Sequence, residues 1–183
     1  KEPKIEGITS GDITIEDPYN KLKVYVNAQT DQTRFENDSI GIITINAFWD
    51  NQLKKANFFV NSNNEGYIFD VKGNLNLADS NNQLIDTDFD IKDTRVDILE
   101  NYVGIIFSEI DGNASGNLKL SGNLKEPDLT GKIQLKNGGI KVLYTQCYYS
   151  MVEPEIVFKP DLIDFGTINL KDMYGNDGQI KGQ

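Results

Sequence analysis

The sequence predicts an all-β fold built from strands with one apolar side, and two observations support that prediction. Apolar and polar residues alternate with a period of two along most of the 183 residues, the pattern of strands that bury one face. Turn-forming residues interrupt the alternation about every 8–12 residues, an interval typical of all-β domains. The apolar faces need a cover, and periodicity leaves three solutions open: a curled sheet with a hydrophobic groove, a closed β-sandwich and a closed barrel.

The amino-terminal strands follow one another in order. Ile13 and Ile15 mark the first strand, which ends at the turn Asp17–Asn20, and a second strand covers Leu22–Ala28 before a predicted loop at Asp31–Asn37. Further strands centre on alternating apolar residues: Ile43, Ile45, Ala47 and Trp49; Phe58–Val60; Tyr67, Phe69, Val71, Leu75 and Leu77; Ile85, Thr87, Phe89 and Ile91. The turns predicted between them are Asp50–Asn51, Asn61–Gly66 and Asp79–Gln83.

The most regular stretch runs from Asp111 to Val142. Leu118–Leu124 alternates before Pro127, which cannot donate to a β-ladder and therefore predicts a strand boundary. Leu129–Leu135 alternates after it, and Asn137-Gly138 then predicts a type I′ hairpin turn. Later strands are predicted around Ile140–Tyr144, Tyr144–Met151, Ile156–Phe158, Ile163–Phe165, Ile168–Leu170 and Ile180.

One segment breaks the period of two. From Thr94 to Ile110, apolar residues recur at spacings of three and four, which predicts a short amphipathic helix of about four turns. Thr94 is the predicted N-cap, and Gly112 suits the position just past the helix end.

Composition argues against catalysis and against nucleic acid. The formal net charge is −10, whereas phosphate binding needs a basic surface. The chain has no histidine and a single cysteine, which removes Ser-His-Asp catalysis, His-ligated zinc and Cys-rich metal sites. We therefore predict no enzyme activity, no metal and no cofactor, and we interpret Cys147 as a small packed apolar residue.

One acidic cluster has two interpretations. Asp86, Asp88 and Asp90 alternate along one strand and project from the same face. Their carboxylates could bind Ca²⁺, which prefers several carboxylate oxygens. They could equally form the solvated face of a strand protected against edge pairing, and we favour that interpretation.

The same regular stretch carries a family resemblance. The pattern Gly-x-Leu-x-Leu-x-Gly-x-Leu-x-x-Pro-x-Leu-x-Gly-x-Ile-x-Leu-x-Asn-Gly occupies Gly116–Gly138. It resembles the C-terminal region of the TamB proteins, subunits of the translocation and assembly module, and the wider AsmA-like superfamily. The resemblance covers roughly residues 97–182 and implies a β-taco, a long U-shaped sheet with a hydrophobic interior groove. It divides the chain into a β-meander segment of the groove (1–93), the helix (94–111) and a TamB-like C-terminal β-meander (112–183), together one continuous fragment of a longer protein.

What the resemblance implies about function is transfer without chemistry. TamB-like proteins carry phospholipid between the inner and outer membranes and support the assembly and secretion of outer-membrane proteins. The implied partners are phospholipid acyl chains and a BamA-like outer-membrane barrel of the TamA or BamA type. The implied location is the periplasm of a diderm bacterium, with the inner-membrane anchor outside this fragment.

We predict that the alternating apolar residues line the groove, although plain core packing would need the same residues. They are Leu118, Leu120, Leu124, Ile133, Leu135, Ile140, Val142, Ile156, Phe158, Ile168 and Leu170. Two alternatives stay open: a chaperone-like module that adds a client strand to its sheet edge, and a closed β-sandwich with a glycan-binding or adhesive surface. In the sandwich, exposed aromatic residues would matter more than the apolar lining: Tyr19, Trp49 and Tyr174.

Overall fold

A single antiparallel sheet makes up the fold. The computed structural model describes residues 4–36, 38–99 and 107–182. Within these ranges the chain forms one 14-stranded sheet whose order along the main path is β1-β2-β4-β5-β6-β7-β8-β9-β10-β13-β14. The path does not return to its start, so the sheet is open and is not closed into a barrel. The predicted all-β, curled antiparallel sheet is confirmed.

The strands have the following bounds. The first seven are β1 (Ile5–Glu16), β2 (Lys23–Phe35), β3 (Asp38–Gly41), β4 (Ile43–Asp50), β5 (Lys55–Asn64), β6 (Tyr67–Asn76) and β7 (Leu84–Arg95). A 3₁₀ turn, Asp97–Leu99, follows β7. The remaining seven are β8 (Phe107–Asn123), β9 (Glu126–Val142), β10 (Cys147–Met151), β11 (Glu155–Lys159), β12 (Leu162–Asp164), β13 (Gly166–Asp172) and β14 (Asp177–Gly182).

Three short strands lie off the main path. β3 pairs with β2, and β12 pairs with β11. The long strand β9 pairs with β8 on one side and with both β10 and β11 on the other. With neighbouring strands about 4.8 Å apart, the 11 strands of the main path extend about 48 Å across the sheet.

The register sorts the side chains into two chemically different faces. Residues directly opposite each other in an antiparallel pair lie on the same face. One such row crosses six neighbouring strands through Ala47, Phe58, Gly73, Thr87, Leu120 and Leu129. The adjacent row, on the opposite face, passes through Asn46, Phe59, Lys72, Asp88, Lys119 and Thr130. We call these two sides the apolar face and the polar face.

The fold leaves much of its apolar face uncovered. The chain exposes 11894 Å², whereas a compact monomer of 20.5 kDa exposes about 8,800 Å². One cluster of fully buried apolar residues brings β8 and β9 together with the segment after β7: Val96, Ile110, Ala114 and Ile133. The small core therefore lies on the apolar face, at the carboxy-terminal end of β7.

The predicted helix was wrong at both ends. Thr94 lies in β7 and Ile110 lies in β8, and Asp97–Leu99 forms a single 3₁₀ turn. Residues 100–106 of the predicted helix lie outside the described residues. Val96 and Ile110, the first and last apolar residues of that pattern, meet in one buried cluster through tertiary packing.

Four predicted turns or strand boundaries were wrong, wholly or in part. Asn137-Gly138 is not a hairpin turn, because β9 continues to Val142 with irregular pairing to β8 near this position. Pro127 lies just inside β9 rather than between strands. The predicted loop Asp31–Asn37 is strand up to Phe35, and β5 continues to Asn64 through most of the predicted Asn61–Gly66 turn.

The closed β-sandwich is not what forms. The described strands belong to one sheet, so no second sheet among them packs on the apolar face. Of the aromatic residues assigned to a sandwich surface, Tyr19 and Tyr174 are exposed, whereas Trp49 is half-buried on the apolar face beside Val24 and Ala56.

Candidate functional site

The apolar face forms a groove whose side chains are half-buried rather than sealed. Across β4 to β7 its residues include Ile45, Val60, Val71 and Phe89, which lie opposite one another in pairs. All four keep part of their surface exposed. Packing between neighbours on a curved sheet accounts for this intermediate burial, because the described residues supply no second layer.

At the carboxy-terminal end of β7 the groove becomes a pocket. Its volume is about 370 Å³, and both sheet residues and the segment after β7 line it. The apolar lining residues are Ile91, Val96, Ile98, Ile110, Ala114, Leu118, Ile133, Leu135, Ile140, Met151, Ile156 and Phe158. Two ionisable residues, Arg95 and Asp111, also border it.

Residues 96–99, which we call the strap, follow β7, and Val96 and Ile98 among them line this pocket. Before the strap, β7 shifts its register with β8 between Ile91 and Thr94 and pairs again at Thr94 and Arg95. The Asp93 backbone is left-handed there, with φ of 47°, and its carboxylate accepts a hydrogen bond from the Asn113 side chain at 2.8 Å. The Thr94 hydroxyl donates to the carbonyl oxygen of Ile68 at 2.9 Å. These bonds hold the end of β7 in the sheet, and the Val96 amide extends its pairing with β8 by donating to the Gly112 carbonyl oxygen at 3.1 Å.

A charged pair fixes the outer side of the strap. The Arg95 guanidinium forms an ion pair with Asp97 and lies 5.9 Å from the centre of the Tyr67 ring, a cation–π distance. The hydrogen bond to Asp97 raises the pKa of Arg95. Burial raises the pKa of Tyr67, and the nearby Asp97 carboxylate adds to the rise. Tyr67 is therefore a neutral, buried platform for the arginine.

The polar face carries paired charges. Lys119 Nζ lies 2.5 Å from Asp86 and 3.5 Å from Asp88, and Lys92 Nζ lies 3.0 Å from Asp90. The hydrogen bond to Asp86 raises the pKa of Lys119. Each aspartate of the acidic cluster thus has a lysine partner, as expected of a solvated face. Among the described residues, no group of three or more acidic or cysteine side chains is arranged to hold a metal ion.

A wide hollow on the polar face differs from the groove in chemistry. It measures about 740 Å³ and mixes rings with amides and carboxylates. Tyr25 and Phe48 contribute rings whose centres are 4.8 Å apart, and Asn46, Asn57 and Asp88 are among the polar lining residues. The hollow on the polar face therefore combines aromatic and polar side chains, whereas the pocket on the apolar face has a mainly aliphatic lining.

Comparison with known proteins identifies the family. The family model described as the N-terminal domain of TamB matches residues 3–135, almost three quarters of the chain. The chain belongs to the TamB family. No curated protein and no solved structure matches it. No helix among the residues described is long and apolar enough to span a membrane.

The match corrects the place in the family that the sequence pattern indicated. The motif at Gly116–Gly138 was interpreted as part of the TamB C-terminal region, yet the matching model is that of the N-terminal domain and covers most of this motif. A repeated strand pattern explains the difference, because alternating leucines and glycines recur wherever such a sheet continues. The motif therefore indicates the family without locating the segment within it.

The structure brings together six of the predicted groove residues in this TamB-family sheet. Around the pocket lie Leu118, Ile133, Leu135, Ile140, Ile156 and Phe158. Val142 and Leu170 join Ile140 in lining an adjacent hollow of about 450 Å³. Leu120 lies on the apolar face opposite Thr87 and Leu129.

Two predicted residues lie apart from these. Leu124 is in the turn after β8, 37% exposed, and donates its amide to the carbonyl oxygen of Gln83 at 2.8 Å. Ile168 is buried on β13 opposite Ile180, and Leu170, two residues further along the same strand, is buried as well. Whether any of the eleven residues contacts a ligand stays a prediction.

Sequence reasoning missed the strap and named no lining residue from the first 93 residues. Val96 and Ile98 were assigned to a helix, although they line the pocket together with sheet residues. Phe58 and Val71 lie in the segment 1–93 that was assigned to the groove, but they were not named among its lining residues. The signal for them was present, because they alternate in the same way as the leucines of β8.

Proposed function

We propose that this chain is a groove segment of a TamB-like translocation and assembly protein and that its apolar face carries phospholipid tails between the inner and outer membranes. One observation supports this above all: a continuous apolar row crosses the sheet and has no covering layer among the described residues. The excess exposed surface is about 3,000 Å² over a compact monomer of this mass. An extended apolar patch within that excess is unfavourable in water unless an apolar guest covers it.

In this mechanism apolar side chains of the sheet replace the neighbouring lipid tails around a bound acyl chain, and no chemical step occurs. An acyl chain lying on the apolar face removes its own methylenes and those of residues such as Leu120 and Phe58 from water, at about 0.8 kcal/mol per buried methylene. The head group stays at the open mouth of the groove, in solvent. Successive rows offer similar apolar side chains, so a tail can shift along them with little change in free energy.

The setting follows from the same proposal. The chain works in the periplasm of a diderm bacterium as part of an inner-membrane-anchored protein, next to a BamA-like outer-membrane barrel of the TamA or BamA type. Residues 1–93 and 112–183 contribute successive segments of the groove, linked by residues 94–111. A sheet about 48 Å wide supplies one length of a longer conduit.

The test compares one charge on each face of the sheet. Leu120→Asp puts a carboxylate in the middle of the apolar row, whereas Thr130→Asp adds the same charge on the polar face, directly opposite Lys119. Each protein is purified from a diderm bacterium, and bound phospholipid is counted by native mass spectrometry and lipid extraction. We expect phospholipid with the unaltered chain, at least fivefold less with Leu120→Asp, and no change with Thr130→Asp.

Circular dichroism separates loss of lipid from loss of fold. Leu120 is half-buried rather than part of the buried cluster, so its variant keeps its strand content. An unaltered chain that carries no phospholipid, or a folded Leu120→Asp that carries as much as the unaltered chain, contradicts the proposal.

A second function, pairing with a client strand, is favoured by the edge of the sheet. β1 is twelve residues long, is exposed throughout, and pairs with β2 on one side alone among the described strands. A long free edge is a template for β-augmentation, in which main-chain hydrogen bonds supply the affinity. The client would be an unfolded strand of an outer-membrane protein or a periplasmic part of the barrel partner.

Proline distinguishes this function from lipid carriage. Ile13→Pro in β1 and Lys181→Pro in β14 each remove a main-chain donor that faces away from the neighbouring strand, while Leu120→Asp leaves both edges intact. Fluorescence anisotropy with a labelled barrel-strand peptide measures the binding. Edge pairing predicts loss with at least one proline variant and none with Leu120→Asp; the reverse pattern excludes it.

A further inference from the structure

The hollow on the polar face contains a diagonal strip of three aromatic rings. Tyr25 lies directly opposite Phe48 on the neighbouring strand, and their ring centres are 4.8 Å apart. Phe59 lies diagonally from Phe48, because the residue opposite Phe48 is Asn57, two positions earlier on β5, and aromatic side chains can reach such a diagonal neighbour. The strip therefore crosses β2, β4 and β5, whose outer members are about 10 Å apart. All three rings keep part of their surface exposed.

Asparagine side chains surround these rings. Four of them line the same hollow: Asn27, Asn46, Asn57 and Asn74. All four are exposed, and none of their side-chain amides has a hydrogen-bond partner among the described residues. Other strand asparagines are paired, since Asn61 donates to Asp70 and Asn113 to Asp93. Because asparagine is disfavoured within strands, four unpaired amides around one strip of rings are unusual for a face that only meets water.

The charges of the hollow are balanced. Its charged lining residues are Lys72, Asp86 and Asp88, and Lys119 forms ion pairs with both aspartates. Two lysines therefore accompany two aspartates, although the whole chain has a net charge of −10. A neutral ligand suits this balance. Single-stranded nucleic acid also stacks on aromatic residues, but it needs a basic surface as well.

Rings flanked by amides match the chemistry of a sugar. The C–H groups on the face of a sugar ring pack against the electron-rich face of an aromatic ring. Its hydroxyl and acetamide groups lie at the rim, where an asparagine amide can both donate and accept hydrogen bonds. The volume of the hollow, about 740 Å³, lies within the range of ligand sites, about 300–1,000 Å³. The strip is long enough for more than one linked sugar ring.

We propose that the polar-face hollow binds a neutral oligosaccharide that carries N-acetyl groups. Its sugar rings stack on Tyr25, Phe48 and Phe59, and its acetamide and hydroxyl groups bond to the surrounding asparagines. This site lies on the opposite side of the sheet from the groove, so it does not depend on lipid carriage. It also uses none of the aromatic residues that a closed sandwich would have presented. The chain can hold a glycan on one face while the other face stays open.

NMR titration of the unaltered chain provides the first test. The probe is chitotetraose, a linear tetramer of N-acetylglucosamine, and cellotetraose has the same linkage without the acetamide groups. The side-chain amide signals of the four lining asparagines should shift saturably with chitotetraose, whereas those of Asn61 and Asn113 should not. Cellotetraose should bind about fivefold more weakly, because it lacks the acetamide hydrogen bonds.

Two pairs of variants locate the site. Phe59→Ala removes a ring that is 38% exposed, and Tyr144→Ala removes one that is 96% exposed in the β9–β10 turn, outside the hollow. Asn57→Ala and Asn63→Ala each remove an exposed amide from β5, the first within the hollow and the second beyond it. Isothermal titration calorimetry measures chitotetraose affinity. We expect about tenfold weaker binding with Phe59→Ala and about fivefold weaker binding with Asn57→Ala, with no change in either control.

The results also separate this site from the lipid groove. Leu120→Asp should bind chitotetraose as tightly as the unaltered chain, and Phe59→Ala should carry as much phospholipid. Absence of saturable chitotetraose binding overturns the glycan site and leaves the groove untouched. Equal affinity for cellotetraose, or equal losses from variants inside and outside the hollow, also overturns it. A chain that binds chitotetraose at the asparagines but carries no phospholipid supports the glycan site and contradicts the groove alone.

Discussion

The amide of Val96 donates a hydrogen bond to the carbonyl oxygen of Gly112 at 3.1 Å, and this contact joins the strap to the sheet. It forms where both neighbouring strands are irregular. The pairing of β8 with β9 shifts register between Ser108 and Asp111 and again between Asp111 and Asn113. Gly112 lies within the second shift and has a φ of 118°, a conformation that residues with a Cβ rarely adopt.

We predict that Gly112→Ala destabilises the protein by about 1–3 kcal/mol. A Cβ at this position would lie 2.8 Å from Gly138 Cα and 2.9 Å from the Lys136 carbonyl oxygen, both main-chain atoms of β9. Neither atom can move without disturbing the ladder. Urea unfolding followed by the fluorescence of Trp49, the single tryptophan, measures the change.

Gly178→Ala is the matched control, because a Cβ there would have no neighbouring atom within 4 Å and the φ of Gly178 is not in the left-handed region. It should change the free energy of unfolding by less than about 0.5 kcal/mol. Equal effects of the two substitutions would contradict the close approach of β8 and β9 at Gly112.

Thr87→Val is predicted to stabilise the protein by about 1 kcal/mol. Thr87 is 2% exposed, and its hydroxyl has no hydrogen-bond partner among the described residues. Its side chain lies on the apolar face, opposite Gly73 and Leu120. Valine keeps the shape and removes a buried polar atom that receives no compensating bond.

Thr33→Val should have the opposite sign in the same unfolding assay. Thr33 is equally buried, but its hydroxyl is hydrogen-bonded to that of Thr30, which also accepts the Ile43 amide at 2.9 Å. The substitution breaks this bond and should cost about 1 kcal/mol. Destabilisation by Thr87→Val would indicate that its hydroxyl has a partner after all.

The β13–β14 turn should lose stability in acid. Asp172 accepts hydrogen bonds from the Asn176 side chain at 2.9 Å and from the amides of Asn176 and Tyr174 at 2.8 and 2.9 Å. These bonds, first that of the Asn176 side chain, lower the pKa of Asp172. A carboxyl whose pKa is lowered by folding stabilises the folded state above its ordinary value of about 3.9, and this contribution disappears as pH falls through the folded pKa.

Melting temperatures of Asp172→Asn and the unaltered chain measure this effect between pH 7 and pH 3. The variant should melt lower at pH 7, and the difference should shrink in acid as the carboxylate of the unaltered chain is protonated. Asp177→Asn, on an 87% exposed side chain at the start of β14, serves as the control. A difference that stays constant with pH would exclude the ionised carboxylate as its source.

Strand identity and face were predictable because they depend on neighbouring residues. Alternation alone placed Val71, Phe89 and Leu118 on apolar strand faces, and the register confirms that they share one side of the sheet. The open form of the sheet depends on contacts that alternation does not specify. Alternation cannot distinguish an open groove from a closed core, because both require the same side chains. The open form was therefore expected from the family resemblance alone.

The errors occur where long-range pairing overrides a local signal. Asn137 has the positive φ, 51°, that the predicted hairpin requires, yet β9 passes through it because Lys136 and Gly139 still pair with Asn113 and Asp111. The left-handed residue therefore makes an irregularity in the ladder rather than a turn. The strap was missed for a related reason, because Val96 and Ile110 meet through tertiary packing at a spacing that a helix would also give.

Adjacent phenylalanines on β5 test the two-faced sheet directly. Phe58 lies in the apolar row opposite Ala47 and Gly73, and its ring occupies the space left by the missing Gly73 side chain. Phe59 points to the polar face, is 38% exposed and lies opposite Asn46 and Lys72. Phe58→Ser should lower the free energy of unfolding by about 1–3 kcal/mol, less than for a fully buried ring.

Phe59→Ser removes the same ring from the other side and should change the free energy of unfolding by less than about 1 kcal/mol. Urea unfolding of both variants gives the comparison, and equal denaturant slopes exclude a change in the unfolded state. If the two substitutions destabilise the protein equally, the faces do not differ in burial, and the apolar side is not a groove. If Phe58→Ser alone destabilises it, the ring contributes to the wall on which we propose that lipid tails lie.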